Sequence, residues 1–303
     1  MDRIVAVDWS GDKGPGQRKK LWAGVWTAAT NRVTLHGGRD RMELMAWLVE
    51  LARETPRLVV GLDCCFGFPA WFVQEQGCGS AQEFWRQVAE GQGEAWLARE
   101  CADERFWGVK GPARSGRRPA RWAGEGLRQM LRTTDWENKV AQSRDGGDPE
   151  RAAKMAGIQA KSPFQIGGSG SVGTGSLRAM PWLLHLQQAG FCIWPFEDAA
   201  LGSSPPRPLL VEIYTRLLTG AVKKSNAEAR RAYLAARRAS PGDLYGSLSR
   251  PVLQHAQVSE DAFDALVCCV EMVRWQQEFA GLRATPDAVL QLEGITWRPG
   301  VQR

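Results

Sequence analysis

A chain of 303 residues with 44% hydrophobic and 24% charged residues has the makeup of an ordinary soluble globular protein, with enough length to bury a substantial core. No apolar run reaches the ~18 residues that a membrane-spanning helix needs, which excludes that class. A net charge of +6 is compatible with a polyanionic partner without requiring one.

The seven cysteines, Cys64, Cys65, Cys78, Cys101, Cys192, Cys268 and Cys269, form no C-x-x-C pair, and there are three histidines. A zinc site of the usual spacing is therefore not expected. His36, His185 and His255 stand alone and read as structural, and no histidine partners a cysteine nucleophile. An odd cysteine count without a secretory signal points to a reducing, cytoplasmic setting. The 14 tryptophans serve either bulky packing or base stacking.

In chain order, Ile4–Val7 reads as a buried strand ending in Asp8, followed by the turn Trp9-Ser10-Gly11. DKGPGQRKK is a polar turn. LWAGVWTA and VTLHGG are two further strands hinged at Asn31-Arg32, which makes a three-strand meander. RMELMAWLVELARE places Leu44, Trp47, Leu48 and Leu51 at helical spacing and stops at Pro56. RLVVGLD is then a buried strand that ends in Asp63; the helix before it suggests a parallel crossover.

Residues 70–160 break this pattern and read as an insertion of loops and short helices, with an exposed loop around residue 147. Its basic stretch carries Lys110, Arg114, Arg117, Arg118 and Arg121, with Trp107 and Trp122 among them. Such a stretch either follows a nucleic-acid backbone, with the tryptophans stacking on bases, or is a solvated face. A Gly/Ser loop with Gly168, Ser169, Gly170 and Gly173 runs into a helix that ends at Gly190. It can cradle a phosphate or simply connect; it lacks the G-K-[ST] of a P-loop. FCIWPF and LLVEIY read as strands, the second containing Glu212. KKSNAEARRAYLAARR is a basic helix, Asp261–Phe279 a helix with an apolar face, and LEGITWRP a short closing strand.

The carboxylates suggest a site. Phosphodiester cleavage by metal ions needs acidic ligands that converge from several parts of a fold, and Mg²⁺ is content with carboxylate oxygens and water. Asp8 and Asp63 end strands that can be neighbours. Asp261 and Asp264 lie three apart, on one helix face. Asp264 is followed by apolar ALVCCV, so without a cation or partner its burial is costly. Asp261 can equally serve the helix start, and Glu212 can equally face solvent on an edge strand.

Taken in order, VAVDWSG, VVGLDCCFGFP, KSPFQIGGSGSVGTGSL, the WPFE segment, VEIY and EDAFDALVCCV resemble a predicted RNase H-like nuclease family, a domain-of-unknown-function family of the RNase H-like/Holliday-resolvase superfamily. The match spans nearly the whole chain. Thr215, where the family often has proline after its E-x-Y, and the Cys64-Cys65 pair depart from it. The resemblance implies an α/β fold: one RNase H-like domain over residues 1–303, with a mixed five-stranded sheet flanked by helices and a large insertion after the fourth strand. It also implies an acidic cluster of Asp8, Asp63, Glu212 and Asp261 or Asp264. The expected function is Mg²⁺- or Mn²⁺-dependent hydrolysis of DNA or RNA, with Asp8, Asp63, Glu212 and Asp264 catalytic and Asp8, Asp63, Asp261 and Asp264 on the metal. Two rivals share the core: an actin/sugar-kinase-like phosphotransferase, although the chain shows one strand-Asp-hairpin unit where such proteins usually have two, and a non-catalytic nucleic-acid- or protein-binding module.

Overall fold

A run that is apolar at four consecutive positions has to be covered on both faces. Ile4–Val7 forms the fully buried interior of strand β1 (Arg3–Asp8) in the computed structural model, which describes residues 1–112, 114, 116–143, 161–168, 171–240 and 243–300. β1 pairs antiparallel with β2 (Trp22–Thr27), and β2 with β3 (Arg32–His36). Their turn passes through Asn31 at φ 50°, a left-handed conformation that asparagine tolerates. Helix α1 (Arg41–Glu54) opens on a capping box: the Asp40 side chain accepts from Glu43 N, and Glu43 accepts from Asp40 N. The chain then enters β4 (Leu58–Leu62), parallel to β1. The expected β-β-β-α-β order forms with one addition: the segment expected as a polar turn after β1 carries a 3-10 turn, Gly14–Gly16, and a short helix, Gln17–Lys20.

The insertion carries the short helices Ala70–Glu75, Ala81–Gln87 and Gly93–Leu97, and then α2 (Thr133–Ser143). The loop expected around residue 147 lies outside the described residues. After α3 (Gly173–Gln188) come β5 (Cys192–Ile193) and β6 (Leu209–Glu212). The sheet order is β3-β2-β1-β4-β6-β5, with β1, β4, β6 and β5 parallel. It is a mixed α/β sheet of six strands, not five; the extra strand is the two-residue edge β5. Past β6 lie a short helix Thr215–Thr219, α4 (Ala227–Arg238), α5 (Arg250–Val258) and α6 (Glu260–Arg274). α6 stops short of the expected Phe279, and the chain continues in a 3-10 turn, Gln276–Gly281. The expected closing strand is instead a short helix, Leu290–Glu293, and a single bridge between Thr296 and Glu212. Among the described residues no helix is long and apolar enough to cross a membrane.

Strand alternation splits the core in two. Val5, Val7, Val60, Leu62 and Leu210 face a cluster that includes α1, α3 and the aromatics of the insertion. Ile4, Ala6, Val59, Leu209 and Val211 face the other, built mainly on α6. α6 lies almost against the strand backbones, because a Cβ at Gly24 would collide with the Ala265 carbonyl and one at Gly61 with Met272. That close approach carries the start of α6 to the ends of β1 and β4.

Candidate functional site

Strand register brings the first two carboxylates together. Val7 pairs with Leu62, and Asp63 N donates to Val7 O at 3.1 Å, so Asp8 and Asp63 leave adjacent parallel strands side by side. The first turns of α6 add Asp261 and Asp264 from the other side of the sheet. Asp264 is 1% exposed. Burial and the charges of Asp264 and Asp63 push the Asp8 carboxyl well above its ordinary range. Burial raises Asp63 to about 7, against the lowering pull of Lys224, and Asp264 to about 6 in the same way. Burial and the charge of Glu260 raise Asp261, against the lowering effects of Asp8, Lys224 and Lys20. Asp8, Asp63, Asp261 and Asp264 lie near enough for their charges to act on one another.

Lys224 acts on all four of them, and Lys20 on Asp261 as well. Lys224 Nζ forms an ion pair with Asp264 Oδ2, and its charge also acts on Asp8 and Asp63; Glu260 lies at 3.9 Å. The other oxygen of Asp264, Oδ1, is buried without a hydrogen-bond partner. Among the described residues no three His, Cys, Asp or Glu side chains are arranged as a ready metal-binding group. Asp264 is instead drawn to Lys224. Sequence reasoning missed Lys224, reading it as part of a basic helix. Asn226 was the available signal: its side chain caps α4 through Glu228 N and Ala229 N, which leaves Lys224 in the loop before the helix.

Glu212 belongs to a different cluster. β6 lies between β4 and β5, so Glu212 is neither on an edge strand nor open to solvent, at 2% exposure. Its Oε1 accepts from Arg132 Nη2 and Thr296 Oγ1, both at 2.6 Å. Its Oε2 accepts from Arg132 Nη1 and Phe66 N, both at 2.7 Å. With both oxygens committed, Glu212 does not join Asp8, Asp63, Asp261 and Asp264. Arg132 turns its remaining donors to Asp135 and to the Glu293 carbonyl, tying the insertion to the end of β6.

A cleft of about 800 Å³ opens beside both clusters. Asp63 and Glu212 form part of its floor, while Lys161, Arg216, Lys223 and Lys224 bring positive charge. Thr174 and Gly175, in the first turn of α3, form part of another wall. The loop after β1 is clamped there: Trp9 Nε1 donates to Gly175 O at 2.9 Å, and a Cβ at Gly11 would strike the backbone of Thr174 and Gly175. Of the expected phosphate loop, Ser169 and Gly170 lie outside the described residues. Gly168 does not reach the cleft, and the Gly173 N–H is spent on Gln165 O at 2.9 Å. On this segment Ser171, Val172, Thr174 and Gly175 line the cleft.

The basic stretch divides. Trp107 is buried against the insertion's aromatics and is bonded through its backbone to Phe164 and Ile166, so it is no stacking platform. Arg114 is 4% exposed, and its guanidinium caps the carbonyls of Trp96, Ala98 and Val109. A long side chain that satisfies stranded carbonyls is structural. Trp122 is half-buried under Arg121, which pairs with Glu104. Lys110, Arg117 and Arg118 are exposed. None of these seven residues lines the cleft. Cys64 and Cys65 do, but burial raises both thiols, away from nucleophilic form.

No protein-family model, no curated protein and no solved structure matches this chain.

Proposed function

We propose that the protein is an RNase H-like, divalent-cation-dependent phosphodiesterase acting on nucleic acid. The fold half of the reading is supported by the antiparallel β1–β3 meander, the crossover to parallel β4, the parallel β6 beyond it and the late helix α6 across the sheet. The function half is carried by one observation: four carboxylates gather at the ends of β1 and β4 and the start of α6 around the Lys224 ammonium, and one buried oxygen of Asp264 has no partner. A donor set of carboxylate oxygens without imidazole or thiolate suits Mg²⁺ or Mn²⁺.

Asp8, Asp63 and Asp264 would hold the cation, with Asp261 beside them. Bound there, it would supply Lewis-acid stabilisation of charge on the phosphate. The chain's own groups do the rest. Lys161, Arg216 and Lys223 attract and orient a phosphate in the cleft. The first turn of α3, which carries no acidic residue and no capping side chain, leaves its dipole open to the same anion. Arg41, donating to Ser10 O at 3.0 Å and Asp12 O at 2.6 Å, holds the loop that forms the opposite lip.

A non-catalytic binding module is favoured by one feature, the ion pair that Lys224 already makes with Asp264. Incubating the protein with labelled single- and double-stranded DNA and RNA in Mn²⁺ separates the two. Cleavage that falls at least about a hundredfold in Asp8→Asn supports the enzyme. Binding without cleavage, unchanged in that variant, supports the module.

A further inference from the structure

Lys224 belongs to two places at once. Its ammonium reaches Asp264 inside the acidic cluster, and its side chain lines the cleft. We propose that Lys224 is an exchangeable counter-ion: a divalent cation enters the cluster by displacing the ammonium from Asp264, and the displaced ammonium turns to the cleft to meet the phosphate. The inference rests on the cation-dependent reading above.

The root of this side chain is fixed. Lys224 N donates to Val222 O at 2.8 Å, and Asn226 N to Lys223 O at 2.9 Å. The Arg230 guanidinium holds the Lys224 carbonyl, and it binds Gln257 O and Val258 O at 2.9 Å, so the loop is tied to the end of α5. A pinned backbone under a flexible four-carbon stem lets the charge move without moving the chain. A landing place exists: Glu260 lies 3.9 Å from the ammonium and is itself part of the cleft wall.

The ammonium is also an incomplete partner. A lysine is a point charge without the fork that fills both oxygens of a carboxylate. Asp264 shows the consequence, with Oδ2 paired and Oδ1 buried without a partner. Arg132 on Glu212 is the contrasting case, with both oxygens filled. A small divalent cation brings twice the charge to carboxylates that arrive from three separate segments, and it can reach oxygens that one ammonium cannot.

The test uses the full chain and Mn²⁺. Calorimetric titrations compare the unaltered protein with Lys224→Met, and with Lys19→Met, an exposed position outside the cleft, as a control for general loss of positive charge. In parallel, brief acetylation read by mass spectrometry follows Lys224 in the unaltered protein, with and without Mn²⁺, with exposed Lys19 as internal reference. Displacement predicts Mn²⁺ binding about tenfold tighter in Lys224→Met and within about twofold of unaltered in Lys19→Met. It also predicts that Mn²⁺ raises Lys224 acetylation severalfold while Lys19 stays level. Saturable binding that is unchanged or weaker in Lys224→Met, or Lys224 acetylation that Mn²⁺ leaves unchanged, overturns the displacement alone. No saturable heat in any of the proteins overturns the cation-dependent reading and the displacement with it. Should Lys224→Met fail to fold, the acetylation of the unaltered protein decides.

Discussion

Two buried acidic clusters lie at the same end of the sheet, and they are finished differently. Around Arg132, Glu212 fills both of its oxygens and Asp135 both of its own; Glu293 accepts from Ala70 N and Thr133 N. Around Lys224, four carboxylates crowd together, and an oxygen of Asp264 is left over although the other is ion-paired. Both clusters border one cleft. The difference teaches how to read buried charge. Where the chain completes every bond itself, the charge is architecture. Where it stops short, the remaining valence is set toward something the chain does not contain.

Removing each central cation is the sharpest way to break this contrast. Arg132→Met strands Glu212 and Asp135 and is expected to cost about 3–5 kcal/mol in chemical denaturation. Lys224→Met is expected to cost clearly less, because Asp63 and Asp264, at about 7 and about 6, can take up protons near neutral pH in place of the lost charge. Equal losses would mean that the clusters do the same structural job.

Added cation sharpens the contrast next. Mn²⁺ at a hundred times its dissociation constant is expected to stabilise the protein by about 2.7 kcal/mol, seen as a rise in Tm. Asp63→Asn should abolish most of that rise. Arg132→Lys, should it fold, should keep it.

The basic residues offer a third comparison of the same kind. Arg114→Ala uncaps three backbone carbonyls and is expected to cost about 1–3 kcal/mol of stability. Arg118→Ala, at an exposed position, should leave denaturation within about 0.5 kcal/mol. If the exposed residues of this stretch follow a nucleic-acid backbone, Arg118→Ala instead lowers the salt dependence of binding by about one unit.

The smallest effect is a slope. The folded chain holds Asp63 protonated up to about 7, whereas its ordinary value is 3.8. Between those limits the folded state keeps a proton that the unfolded chain has lost, so in EDTA stability is full near pH 4 and falls as pH rises towards 7. The fall is expected at about 1 kcal/mol per pH unit or less, and Asp63→Asn should flatten it.

Much of this was legible in the sequence, for a physical reason. Buried strands announce themselves by continuous apolar runs, and an acid placed straight after one is fixed by the strand, so Asp8 and Asp63 could be found. Asp264 could be found because its neighbours along the helix are apolar. What could not be read was which charge meets which. Arg132 and Glu212 are 80 residues apart, and their pairing is settled by the fold of the insertion. Nothing local told Arg114, which is buried over carbonyls, from Arg118, which is exposed; both sit in one run of positive charge. FCIWPF was legible as a strand and forms the edge strand Cys192–Ile193; the five-strand expectation came from the family resemblance and not from the residues.

The most direct test of the acidic cluster is an anomalous-difference map, recorded at the manganese edge, from crystals soaked in Mn²⁺. A peak in contact with Asp8 and at least one of Asp63 and Asp264, with the Lys224 ammonium moved off Asp264, is the predicted result. A map without a peak there, with Lys224 still on Asp264, would contradict it.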